Sequence, residues 1–235
     1  MAIMRTHEPL ELLENGAITI PAGIVDLQTF RDWTRSDDFP RYGRIDYIDG
    51  QIEVDMCPAN IQFHSLPKSE IAIAVGHFVR SHDLGQFYID QTRLISTLGV
   101  LSCEPDMMFI SWKRINTGEI VFRESAKPQS DMDFMEIDGG PDLVVEVLSP
   151  SSIQKDTQRL KERYFEAGTL EYWLVDAMHG KSDLRIMYPG ARAFKPAPID
   201  RNGFQRSKVL GMSIKLICGP GRAPRTLNYQ CILKK

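Results

Sequence analysis

The run Gly139-Gly140-Pro141-Asp142-Leu143-Val144-Val145-Glu146-Val147-Leu148-Ser149-Pro150 constrains the fold more than any other stretch. Turn formers close both ends. The residues between are apolar and β-branched, the pattern of a strand buried on both faces. Such a strand belongs in the middle of a sheet that is covered on each side. Glu146 breaks the pattern. A carboxylate in a central strand costs several kcal/mol unless something pairs with it. A metal ion is one such partner, and a lysine is another.

The next segment extends this strand into a strand–helix–strand unit. Residues 151–167 read as a helix stopped by Gly168, and residues 170–176 as a strand. That order implies a parallel pair joined by a right-handed crossover. Upstream, residues 44–54 read as a hairpin turning at Asp49-Gly50. Residues 67–83 read as an amphipathic helix with Ile71, Val75, Phe78 and Val79 on one stripe. Residues 85–98 read as one or two strands, and 103–111 as another, opened by Pro105-Asp106. A helix capped by Asp26 covers residues 26–36. Residues 1–25 read as a turn-rich or extended arm, 113–138 as an insertion or surface loop, 183–188 and 212–217 as late strands, and the last dozen as loosely held.

Hairpins followed by this unit predict an α/β class with α+β character: a mixed central β-sheet flanked by helices, with an N-terminal hairpin region. The expected division is an arm and helix over 1–41, the main domain over 42–217 and a tail over 218–235.

Asp106, like Glu146, lies in an apolar strand-like stretch. Two carboxylates held close cannot both stay ionised without a cation, and a hard divalent ion such as Mg²⁺ takes oxygen ligands of this kind. Asp142 lies about 13 Å from Glu146 along the strand at ~3.3 Å per residue, so it reads as a strand-entry residue. In the following helix Leu160, Tyr164 and Phe165 mark the buried face. At about 100° per residue Lys161 falls within that arc and Lys155 points away from it. Lys155 stays a candidate because it starts close to the end of the central strand. Glu70, early in its helix, is a further acidic candidate. The five histidines form no His-x-x-x-His pair, no phosphate-cradling glycine loop occurs, and Ser149 lacks a Gly-x-Ser-x-Gly setting.

The formal net charge of −3 conceals an asymmetry. Residues 180–235 carry 12 Lys/Arg against two acids, whereas residues 1–179 carry 16 Lys/Arg against 29 Asp/Glu. A basic third on an acidic body points to an anionic partner or a charge-matched homodimer. Four scattered cysteines suit free thiols in a reducing, cytoplasmic setting and argue against a zinc ribbon. The N-terminus does not read as a signal peptide, and no apolar run approaches the ~18 residues of a membrane span.

Pro105-Asp106, the run 141–152, Lys155-Asp156, Tyr164, Ala167-Gly168 and Glu171-Tyr172-Trp173-Leu174-Val175-Asp176 together resemble the Uma-two family of bacterial endonucleases. The hairpin at Tyr47-Ile48-Asp49-Gly50 and the stretch around His64 resemble its upstream half. That family is similar to the PD-(D/E)XK restriction-endonuclease superfamily. The resemblance implies a restriction-endonuclease-like fold and metal-assisted hydrolysis of phosphodiester bonds in DNA. It also implies Mg²⁺ (or Mn²⁺) held by Asp106, Glu146 and the main-chain carbonyl of Val147. Leu148 stands where the superfamily motif has its lysine, and Leu160 where many Uma-two members have theirs. The lysine is then expected from the helix, as Lys161 or Lys155. The alternative is a nucleic-acid-binding protein of the same fold with impaired catalysis.

Overall fold

The computed structural model describes residues 2–4, 10–12, 18–40 and 42–235. Three short strands come first: β1 (Ala2–Met4), β2 (Leu10–Leu12) and β3 (Ile18–Ile20). Of the arm read over 1–25, residues 1, 5–9 and 13–17 lie outside the described residues. Then follow α1 (Leu27–Thr34), β4 (Arg44–Ile48), β5 (Gln51–Asp55), α2 (Leu66–Ser81), β6 (Gly85–Ile89), β7 (Arg93–Ser96) and β8 (Leu101–Cys103). The middle of the chain holds β9 (Met107–Ser111), α3 (Trp112–Asn116), β10 (Val121–Glu124), β11 (Phe134–Asp138), β12 (Leu143–Val147), α4 (Leu160–Glu166) and β13 (Glu171–Asp176). The last elements are β14 (Asp183–Pro189), β15 (Phe194–Pro196), β16 (Gln205–Ser207), β17 (Met212–Pro220) and β18 (Leu227–Lys234).

The central strand is where its composition puts it. A six-stranded sheet runs β15-β14-β13-β12-β9-β6, with β12 inside it. β12 pairs parallel with β13 and antiparallel with β9, so the sheet is mixed, as the crossover unit requires. A seven-stranded sheet runs β1-β5-β4-β8-β7-β11-β10, and β16-β17-β18 form a third. Side chains alternate along β12. Leu143, Val145 and Val147 pack with Ile71, Val75 and Val79 of α2 and with Ile214 and Leu216 of β17. Val144 faces the other way, among Leu160, Tyr164, Leu94 and Ile48. A third cluster seals α1, through Phe30 and Trp33, against Ile45, Tyr47 and Ile52 of the β4–β5 hairpin.

Local signals explain the boundaries. Asp26 caps α1 through the Thr29 N–H in a reciprocal capping box. Asp49 and Gly50 both take positive φ, the geometry of a tight hairpin turn.

Three segments depart from the sequence reading. The stretch 103–111 is two strands in two sheets, bent at Glu104-Pro105-Asp106, because proline cannot donate to a ladder. The segment 113–138, read as a loop, forms α3 and the β10–β11 hairpin. The last dozen residues are not loose: β18 pairs with β17 over eight registers, and Tyr229 is buried. The run Cys231-Ile232-Leu233 interrupts the polar/apolar alternation that would have marked the strand.

Gly140 sets how closely α4 can approach β12. A Cβ there would press into the Ala167 carbonyl and the Gly168 main chain. Arg114 clamps the same junction by donating to the carbonyls of Gly140 and Gly168. Replacing Gly140 by alanine should destabilise the fold by about 2 kcal/mol, a fall in Tm of roughly 4–8 °C for a chain of this size. A thermal melt checks it; an unchanged Tm would mean that α4 is not seated on this glycine.

Candidate active site

Alternation decides whether the two acids meet. Asp106 has the parity of Met108 and Ile110, and Glu146 the parity of Val144; all three apolar residues belong to one cluster on one face. The antiparallel register pairs Val145 with Met107, which leaves residues 106 and 146 side by side. Reciprocal main-chain bonds fix them. The Asp106 N–H donates to Glu146 Oε2 at 3.2 Å, and the Val147 N–H donates to Asp106 Oδ2 at 2.8 Å. Both acids are buried, 1% and 2% exposed. The Val147 side chain goes to the opposite face, so only its main chain reaches the cluster.

A second sheet supplies the facing wall. Arg44 and Asp46 share the inward parity of Ile48 on β4. Arg44 reaches Asp106 Oδ1 at 3.0 Å. Asp46 accepts the Lys155 ammonium at 3.3 Å, with both side chains 3% exposed. From α2, Lys68 contacts the same Oδ1 at 2.9 Å and also pairs with Asp90. His64 Nε2 lies 3.6 Å from Asp106 Oδ2. From α4, Tyr164 donates its hydroxyl to Glu146 Oε1 at 2.6 Å, and Cys103 Sγ lies 3.3 Å from that hydroxyl.

The lysine brought into the cluster is Lys155. Lys161 is half-buried and makes no hydrogen bond or ion pair with any described residue. The helix is not α-helical throughout, which corrects the arithmetic that favoured Lys161. Residues Lys155–Arg159 form a π-helical turn before α4. A π turn holds one extra residue, so everything upstream is rotated by roughly 100° relative to a continuous α-helix. Lys155 swings from the outward face to the inward one. A second π turn, Ile61–Ser65, precedes α2 and carries His64. Glu70 does not join the cluster; it accepts the Cys231 N–H of β18. Asp142 is likewise structural, holding the Ser111 N–H and hydroxyl.

Arg44, Asp46, His64 and Lys68 escaped the sequence reading. Lys68 was within reach of it: it stands three residues before Ile71 on the buried stripe of α2.

The electrostatics separate the two acids. Burial opposes ionisation of Asp106, but the neighbouring His64 imidazole and the charges of Arg44 and Lys68 outweigh it and hold the carboxyl well below its usual range. Burial and the neighbouring charges of Asp106 and Asp156 push Glu146 up to about 8. No described cation forms an ion pair with Glu146. Burial pushes Asp156 up to about 6 against the pull of Lys155. Burial also works against the charge of Lys155, yet Asp46 and Asp156 keep it protonated, with its pKa above the ordinary value.

This donor set fits a hard divalent cation. Among the described residues no three acidic, histidine or cysteine side chains are grouped as a metal cage. Mg²⁺ does not need one, since it is commonly held by one or two carboxylates, with water and phosphate oxygens filling the rest. Glu146, buried and short of positive charge, is the group that such an ion would satisfy. A cavity of about 1200 Å³ opens beside the cluster, lined by Arg44, His64, Lys68, Asp90, Glu104 and Ser149 among others.

The chain is similar to known proteins in both sequence pattern and fold. A crystal structure described as a putative nuclease belonging to DUF820, from Anabaena variabilis ATCC 29413, superposes with a TM-score of 0.58. At 17% identity the likeness covers 80% of this chain and 91% of that one, and it shows a shared fold. No curated protein matches. The family model Uma2, putative restriction endonuclease, matches residues 27–203. Spanning most of the chain, including both buried carboxylates and the helix that brings Lys155, this match shows that the protein belongs to the Uma2 family.

Proposed function

We propose that this protein is a metal-dependent endonuclease that hydrolyses phosphodiester bonds in DNA. The observation that carries the reading is the pairing of Asp106 and Glu146 on one sheet face, with the buried ammonium of Lys155 in the same cluster. Asp106, Glu146 and the main-chain carbonyl of Val147 would hold Mg²⁺ or Mn²⁺. Such an ion supplies Lewis-acid polarisation of a phosphate oxygen and a bound water of lowered pKa. Lys155 remains charged, so it acts as a hydrogen-bond donor that orients water and faces developing negative charge, not as a base. Tyr164 fixes the rotamer of Glu146.

The basic third of the chain supports a nucleic-acid substrate. Arg222 and Arg225 are exposed on the β17–β18 connection. That connection ends at Leu227, whose N–H donates to Gln62 in the π turn beside the cavity. Cations placed there suit a phosphate backbone.

Plasmid DNA incubated with the protein should be nicked or linearised with Mn²⁺ or Mg²⁺ and left intact with EDTA. Cleavage that persists in EDTA would overturn the metal-dependent reading. DNA that is retained in a gel shift but never cut would favour the second reading, a binding protein with impaired catalysis. The contacts of Arg44 and Lys68 with Asp106 are what give that second reading its weight.

A further inference from the structure

We propose that Lys68 and Arg44 form a displaceable cationic gate. They hold Asp106 Oδ1 until a divalent cation takes that oxygen, and they then serve as ligands for the phosphate of the incoming strand. The inference rests on the metal-dependent reading above and adds two residues to it.

The lone pairs of Asp106 motivate the gate. Oδ2 accepts the Val147 N–H and lies near His64, while Oδ1 meets both Arg44 and Lys68. A carboxylate oxygen offers about two acceptor directions, so a metal ion reaches Oδ1 only if a cation leaves it. The donor on Oδ2 is the main chain of β12, fixed in place by its pairing with β13. The donors on Oδ1 are side chains and can leave it.

Position separates the cations into two kinds. Lys155 is 3% exposed and is not among the residues lining the cavity. The Lys68 and Arg44 side chains are 13% and 26% exposed and line the cavity, whereas Asp106 and Glu146 do not line it. Any ion entering from the cavity meets Lys68 and Arg44 first.

Asp90 gives the displaced cations somewhere to go. It is half exposed and pairs already with Lys68, and it lies 3.8 Å from Arg44. Its own N–H donates to the Asp106 carbonyl, so it is fixed next to the gate. Asp90 and Gln91 both adopt positive φ, which turns the chain sharply at the cavity wall. Lys68 can therefore release Asp106 without losing its anionic partner, and its freed donors then face the space that a phosphate would occupy.

Loss of Lys68 should move two affinities in opposite directions. Mn²⁺, followed by loss of its free-ion EPR signal, should bind K68M about tenfold tighter than wild type, within the usual range for coupled sites. A duplex oligonucleotide with Ca²⁺ should bind K68M about tenfold more weakly, with a shallower salt dependence. A merely structural defect would weaken both. K161M, which removes a nearby charge that does not touch Asp106, should change Mn²⁺ affinity less than about twofold. K68Q provides a second replacement if circular dichroism shows K68M to be misfolded. Unchanged or weaker Mn²⁺ binding by the Lys68 variants overturns the gate and leaves the metal-dependent reading standing. Unchanged oligonucleotide binding overturns the phosphate role. Absence of Mn²⁺ binding in every protein, wild type included, removes the metal-dependent reading and the gate with it.

Discussion

Glutamine at position 146 is expected to lower metal-dependent cleavage about a thousandfold, the several kcal/mol of charge stabilisation that a metal ion provides. The same change should make the chelator-treated protein more stable. Glutamine satisfies both existing contacts: its carbonyl can accept the Asp106 N–H, and its amide can donate to the Tyr164 oxygen while that hydroxyl turns to Cys103. The carboxyl it replaces is raised to about 8, by burial first and by Asp106 and Asp156 next. A raised acid gives stability that is fully present below its unfolded value of about 4.5 and is lost as pH rises through about 8. Wild type should thus lose more stability than E146Q between pH 5 and pH 9. Parallel melts across that range, with plasmid cleavage at pH 8, check both halves. Cleavage that survives E146Q would remove Glu146 from the chemistry.

Methionine at position 155 should cost both stability and activity. It keeps the length of the side chain but leaves Asp46 buried without its cation. Breaking a buried ion pair from one side costs about 3–5 kcal/mol, or a Tm lower by roughly 6–20 °C for a chain of this length. Cleavage should fall about a hundredfold or more through loss of the donor that faces developing charge. K161M should leave Tm within about 2 °C and cleavage unchanged, because substitutions away from buried networks rarely exceed about ±0.5 kcal/mol. D46N in the K155M background should recover much of the lost stability without recovering cleavage. That pattern separates the structural debt from the catalytic one. A K161M protein that loses cleavage while K155M retains it would reverse the assignment.

These contrasts show where sequence reading succeeds and where it stops. Asp106 and Glu146 were legible as buried acids because each borders or interrupts a run of apolar residues, whereas Asp46, equally buried, sits in a mixed strand and was not. The parallel β12–β13 pair and the turn at Asp49-Gly50 were legible because crossover handedness and positive φ leave few alternatives. Lys155 was not, since periodicity assumes one helical pitch and the π turn breaks it. Arg44, Asp46 and His64 come from elements whose docking no local pattern encodes. The β10–β11 hairpin was obscured by its exposed, mixed composition: Met132, Phe134 and Met135 all face solvent.

The bend at Glu104-Pro105-Asp106 has a kinetic consequence. The chain leaves the seven-stranded sheet at Cys103 and enters the six-stranded one at Met107, so Asp106 is aimed only when both sheets are seated on each other. Contacts between residues so far apart in sequence form late. The pair proposed above to hold a metal is therefore a product of tertiary docking, since neither sheet by itself carries every group that surrounds Asp106.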